Sequence, residues 1–185
     1  MAILRGKKVL LRPCRQGDLT GIQAWLNDGE TTRYLSSYFD LPHTAKSATS
    51  FLEESMTVKQ DCIRFVVADL VTEEYWGQVS LEHIDRRNGC AELSIVIAQA
   101  EQRGKGIGRE AIALMLRYAF ETQGLRRVEL SVFADNSRAR LCYLKSGFVE
   151  EGVARQKVWK DGKYRDVVAM AILREEYEQH QEAKA

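Results

Sequence analysis

The chain is short of the features that divide or export a protein. In 185 residues it has two prolines, Pro13 and Pro42, and it shows no fixed-period repeat and no low-complexity tract, so nothing marks a linker between domains. Its four cysteines, Cys14, Cys62, Cys90 and Cys142, have no CxxC spacing, and only His43, His83 and His180 could join them. That argues against a metal site and fits a reducing compartment. Nowhere do 18 apolar residues run together, and MAILRGKKVLLRP lacks the apolar stretch of a signal peptide. A cytoplasmic protein is therefore expected. Charge of one sign is also lacking: 27 Lys and Arg stand against 26 Asp and Glu. The whole molecule has no electrostatic pull toward nucleic acid or an anionic membrane, so neither is expected as a partner. What is present is 45% hydrophobic content, enough for one well-buried domain and little more.

The pattern of that content predicts an α+β fold. Residues 8–12 (KVLLR) suit a first strand closed by Pro13, and DLTGIQAWLND suits a helix with Leu19, Ile22 and Leu26 on one face and Asp18 as N-cap. A second helix is predicted over about 44–58, where Ala48, Phe51, Leu52 and Ser55 recur at helical spacing. From Cys62 the period changes, and CIRFVVADL, YWGQVSLEHI and CAELSIVIA, separated by TEE and DRRNG, read as an antiparallel meander. After EQRGKGIGRE, residues Ile112, Met115, Leu116 and Ala119 trace a helix of about four turns ending near Gly124. VELSVF reads as a strand, NSRARLCYLKSG as a helix closed by Gly147, and two last strands flank the turn KDGK. The expectation is one domain over 1–174, a mixed, mostly antiparallel sheet of six or seven strands flanked by helices. REEYEQHQEAKA has few apolar residues, so 175–185 is expected as a frayed, solvated helical tail.

Two constellations carry chemistry. EQRGKGIGRE lies between the apolar strand LSIVI and a helix whose first N–H groups have no intrahelical partners. Those donors, the helix dipole and glycines that admit close approach suit an anion, best a pyrophosphate. A tight turn needing glycine only for its dihedrals is the bland alternative. GxGxxG fails because Arg109 occupies its third position, and GxxxxGK[ST] has no match. Downstream, Asn136 can cap a helix on which Tyr143 stands two turns later on nearly the same face. A phenol with an ordinary pKa of about 10 is protonated at neutral pH and can protonate a departing thiolate. Packing and capping are the bland readings of this pair.

Together, these elements resemble the GCN5-related N-acetyltransferases (GNAT family), whose acetyl-CoA turn follows [QR]xxGx[GA], matched by Arg103, Gly106 and Gly108. The segment 136–143 is similar to that family's second cofactor element. The flanking LLRPCRQGDL and YRDVVAMAILREEY look like the branch of ribosomal-protein N-terminal alanine and spermidine acetyltransferases. The resemblance implies a GNAT-like fold with acetyl-CoA as co-substrate. It implies that the backbone of Arg103, Gly104, Lys105, Gly106, Ile107 and Gly108 cradles the pyrophosphate. Ser94, Ile95, Val96 and Ile97 would pair with the pantetheine arm in a wedge between strands, an augmentation of the sheet by a small molecule. Asn136 would bond the arm, Arg138 would touch phosphate or stay solvated, and Tyr143 would face the thioester, whose oxyanion the Val96 amide could stabilise.

Direct attack on a thioester needs a neutral amine, and an alkyl amine with pKa near 10 is almost wholly protonated at pH 7, so a base is useful. Glu92 is the candidate, alternating with Leu93 and Ile95 and therefore on the opposite face of its strand; a solvated strand-end carboxylate is its bland reading. Glu82 and His83 compete, and strand alternation allows only one of them in the cleft. A ping-pong route through Cys142 is disfavoured because it points about 100° away from Tyr143. Trp25, Tyr34, Tyr38 and Phe39 are expected on one wall of the acceptor groove and KDGKYRD on the other, with Asp28, Glu30 and Asp40 drawing a cation to the entrance. A peptide or protein α-amine ranks first as acceptor, with a polyamine or aminosugar behind it. A non-catalytic acetyl-CoA-binding module is a further alternative, and a homodimer is compatible with the sequence. A nucleotide hydrolase or kinase is disfavoured by the absent phosphate-loop lysine and acidic metal pair.

Overall fold

The computed structural model describes residues 3–183 and contains one eight-stranded sheet, ordered β1-β2-β3-β4-β5-β6-β8-β7. The strands are β1 (Leu4–Arg5), β2 (Val9–Arg12), β3 (Ile63–Asp69), β4 (Tyr75–Asp85), β5 (Cys90–Ile97), β6 (Arg127–Phe133), β7 (Val149–Lys160) and β8 (Lys163–Leu173). The helices are α1 (Leu19–Leu26), α2 (Gly29–Thr32), α3 (Ala45–Met56), α4 (Ile107–Arg117), α5 (Ser137–Lys145) and α6 (Arg174–Glu182). The extra strand relative to the sequence expectation is β1, two residues paired with Leu11 and Leu10 of β2, too short to leave a periodic signal.

Strand alternation divides the core into two layers. Phe65 and Val67 of β3 face one cluster with Ile112, Met115 and Leu116 of α4, whereas Val66 and Ala68 face a second with Ile22 and Leu26 of α1 and Leu52 of α3. Helices therefore cover both faces, α4 and α5 on one side, α1 and α3 on the other. Thr44 caps α3 with its hydroxyl on the N–H of Ser47, close to the predicted start. The KDGK turn has Asp161 at φ 53° and Gly162 at φ 75°, the two left-handed residues that a two-residue hairpin favours. Asp18 departs from its expected role. It stands at the start of α1, but its carboxylate takes a two-pronged bond from Arg12 at 2.7 and 2.8 Å and another from the Arg15 N–H. A buried guanidinium is the stronger partner.

The tail expected as a solvated helix is helical to Glu182 and mostly exposed, but it is pinned at Tyr177 rather than free, and its residues 184–185 lie outside the described ones. Tyr177 is buried against Phe120 and its hydroxyl donates to Glu121 at 2.9 Å, while Arg174 donates to the carbonyls of Phe120 and Leu125. One aromatic and one arginine thus tie an otherwise polar helix to the domain.

The feature that builds the site is the junction of β5 and β6. These parallel strands pair only at Cys90 with Arg127, Ala91 with Val128 and Glu92 with Glu129. Beyond that point β5 stays with β4 up to Ile97, β6 stays with β8 up to Phe133, and a wedge opens between them.

Candidate active site

At the mouth of the wedge, β5 leads through a short helical turn (Ala100–Gln102) into the glycine turn and α4. Gly104 and Gly106 sit at φ 80° and 86°, conformations that a side chain strongly disfavours. Gly106 is the N-cap of α4 and makes no side-chain cap. Consequently the N–H groups of residues 104–109 make no bond to the backbone among the described residues; the first closed turn is Glu110 N–H to Gly106 C=O. Six consecutive unengaged donors at the positive end of a helix fit a diphosphate. Gly108 is helical, and a Cβ built there would meet only Ile97 Cγ1 at 3.7 Å. Neither its dihedrals nor crowding within the protein demands glycine, and the open space beside it leaves the helix start accessible to a ligand.

Arg103 differs from its expected place in this cradle. Its N–H is bonded to the Ala100 carbonyl, and its guanidinium donates to the carbonyls of Ile97 (2.9 Å) and Ala98 (3.0 Å) and to Thr31 Oγ1 (2.5 Å). Arg103 is a latch that fixes the turn against the end of β5 and α2, and the donors begin at Gly104. Arg138, at the start of α5, has Nη2 within 3.7 Å of where a Cβ on Gly104 would stand. Asn136 accepts from the Ala139 N–H at 3.2 Å, so it caps α5 as its spacing predicts.

Two turns on, Tyr143 lines a groove of about 690 Å³ together with Glu92, Ser94, Ile95 and Val96. Residues from both faces of β5, and Ser131, Val132 and Phe133 from both faces of β6, border this groove. Only parted strands permit that. The wedge thus lets Tyr143, on the α5 side, share one space with Glu92, on the α3 side. Burial pushes the Tyr143 phenol well above its ordinary pKa, aided by the neighbouring Cys142, so it holds its proton throughout the neutral range. Its ring packs edge-on against Phe148 at 5.8 Å between centroids. Cys142 is likewise raised by burial, which keeps it a thiol and a poor nucleophile.

The acidic side of the groove is richer than the sequence indicated. Glu82 and His83 both line it, contrary to the one-face expectation, because His83 sits at φ 51° in a bulge where the β4–β5 register shifts. His83 Nε2 lies 4.0 Å from Glu92 Oε2. Glu82 takes bonds from Arg64 (3.0 Å) and Ser80 (2.9 Å), and Glu54 of α3 pairs with Lys59 at 2.6 Å. Glu92 alone of the three has no Lys or Arg partner among the described residues.

The expected aromatic wall is correct in part. Tyr34, Tyr38 and Phe39 line the groove with Phe51, a residue whose spacing had marked only a helix. Trp25 is core, 2% exposed, with its indole N–H on Tyr75. The proposed entrance carboxylates are engaged elsewhere: Asp28 caps α2, Glu30 reaches Arg103, and Asp40 is bonded to the buried Lys160. The KDGK turn faces a different depression beside Trp159, and the groove's far wall is Lys157 and Val158 of β7.

The unpaired edge of β5, the free amides and the wedge fit the pantetheine and diphosphate of a coenzyme A thioester, and comparison with known proteins agrees. A family model described as the acetyltransferase (GNAT) domain matches residues 8–149. The chain is 32% identical over 170 residues to a spermidine N(1)-acetyltransferase of Vibrio cholerae, covering 92% of this chain and 95% of that one. It is 36% identical over 102 residues, 55% of each chain, to the Bacillus subtilis protein YdaF, whose name carries a provisional assignment as a ribosomal N-acetyltransferase. Among solved structures, spermidine N-acetyltransferase from Vibrio cholerae in complex with CoA and spermine superposes with a TM-score of 0.82 at 30% identity, covering 93% of this chain and 99% of that chain. The chain belongs to the GNAT family. It is an N-acetyltransferase that uses acetyl-CoA as co-substrate, and its acceptor is an amine.

Proposed function

We propose that the acceptor is a small polyamine of the spermidine class, acetylated by direct transfer within the groove at Tyr143. The observation that carries this reading is the groove's composition: Glu92, without a Lys or Arg partner among the described residues, with Glu54 and Glu82, each sharing one cation, beside Tyr34, Tyr38 and Phe51. Carboxylates spaced along an aromatic-lined channel suit an extended chain bearing several ammonium groups. The spermidine acetyltransferases among the relatives support it. This places the polyamine above the peptide α-amine that the sequence had favoured. The similarity to YdaF keeps a peptide N-terminus as the second reading.

In this scheme the acetyl thioester supplies the electrophile, and residues 104–108, the free edge of β5 at Ser94, Ile95, Val96 and Ile97, Asn136 and Arg138 hold its carrier. Glu92 takes a proton from the incoming ammonium, directly or through water, so that nitrogen attacks as a neutral amine. The Val96 amide steadies the developing oxyanion. Tyr143 donates to the departing sulfur, and the proton that the new amide nitrogen sheds balances the one the thiolate receives. The bulk of the catalysis expected from a positioned acid and base is about 10²–10⁴-fold each. Release of CoA thiol with spermidine, spermine, an alanine-initiated peptide and an aminosugar tests the acceptor. The highest kcat/KM is expected with spermidine or spermine. A higher value for the peptide moves the function to N-terminal acetylation, and no turnover with any amine leaves a binding module.

A further inference from the structure

We propose that Lys8, nearly a hundred residues before the glycine turn, supplies an ammonium group to the diphosphate of acetyl-CoA. This rests on the reading of residues 104–108 as the diphosphate cradle. The β1–β2 turn is tied to the first turn of α4 by one carboxylate: Glu110 accepts from the N–H groups of both Lys7 and Lys8. That anchor carries Lys8 over the glycine turn. Its Nζ donates to the Lys105 carbonyl at 3.1 Å and lies 3.9 Å from where a Cβ on Gly106 would stand.

Lys8 makes no ion pair among the described residues, and Glu110, the acid that anchors its turn, accepts from the two amides. A lysine ammonium has three donors, of which the Lys105 carbonyl uses one. The remaining two have no acceptor among the described residues, and the turn that Nζ touches carries six unengaged N–H groups. An uncompensated cation held at an open amide nest is a second, independent anion-binding element. Arg138 stands near Gly104 and Lys8 near Gly106, so two cations from distant parts of the chain lie beside the cradle.

The diphosphate, rather than the 3′-phosphate of the same coenzyme, is the group that shares this nest, which makes the test specific. Titration calorimetry would compare wild type and Lys8→Met with CoA, with dephospho-CoA and with pantetheine, beside thermal melts of the unliganded proteins. The expected result is a loss of about tenfold in affinity, equal for CoA and dephospho-CoA, shrinking in high salt, with pantetheine unaffected and the melting temperature unchanged. Unchanged affinity for CoA overturns the assignment, as does a loss confined to CoA, which would move the ammonium to the 3′-phosphate. Should wild type bind CoA no more tightly than pantetheine, the cradle itself is misassigned and the failure belongs to that reading. Lys8→Arg should recover most of the loss; a variant that melts early yet binds CoA normally would make Lys8 a purely structural clasp.

Discussion

Replacing Gly108 with alanine should stabilise the empty protein and weaken its hold on acetyl-CoA. Gly108 lies in the first turn of α4 with ordinary helical dihedrals, and the added methyl would touch only Ile97 at 3.7 Å. Alanine in a helix is favoured over glycine by about 0.5–1 kcal/mol. For a chain of this size that corresponds to a rise of roughly 1–4 °C in melting temperature. The same methyl stands between the helix start and the free end of β5, where the diphosphate would approach. Loss of one amide bond to a charged oxygen costs about 1.5–3 kcal/mol. Affinity for CoA should therefore fall by roughly 10- to 100-fold. Differential scanning fluorimetry and calorimetric titration on the same preparation give both numbers. A higher melting temperature with unchanged CoA affinity would refute the close approach, and a lower melting temperature would refute the claim that the fold leaves room there.

Other consequences are simpler. Because burial raises the Tyr143 pKa, the phenol stays protonated to higher pH than a free tyrosine, so it should impose no alkaline fall in kcat up to pH 10; a fall below that pH which disappears in Tyr143→Phe would contradict this. Cys142→Ala should retain activity and show no acetyl-enzyme by mass spectrometry, since that thiol is buried and its pKa raised; a covalent intermediate on Cys142 would reverse the assignment. Burial alone would raise the Asp18 pKa, but bonds from Arg12 and Arg15 outweigh it and hold the carboxyl below its ordinary value. Its ion pair therefore stabilises the fold above an ordinary Asp pKa of about 3.9, and that contribution disappears as pH falls through the lower folded value. With both side chains at most 4% exposed, Asp18→Asn should cost about 3–5 kcal/mol by denaturant unfolding and flatten the acid limb; a change below about 1 kcal/mol would show the pair contributes little.

What the sequence made legible was local. The glycine spacing of residues 104–108, the capping by Asn136 and the two-turn interval to Tyr143 are read within a dozen residues, and the structure has them as spaced. Strand alternation likewise put Glu92 on the face away from Leu93 and Ile95. What stayed hidden depends on distant partners. The wedge exists because β5 and β6 part after Glu92 and Glu129, and no residue within either strand announces it. His83 enters the groove through a bulge, which breaks the alternation used to place it. Asp28, Glu30 and Asp40 read as free acids until their partners at Thr31, Arg103 and Lys160 are seen. Lys8 reaches the cradle only through Glu110, which lies 102 residues away from it.

The most direct test of acetyl transfer in this groove is spermidine-dependent CoA release by Tyr143→Phe, measured beside acetyl-CoA affinity. Phenylalanine keeps the packing against Phe148 and removes only the hydroxyl. In Tyr143→Phe kcat should fall by about 10²-fold or more with the acetyl-CoA dissociation constant unchanged. Wild-type kcat in that variant would remove Tyr143 from the chemistry.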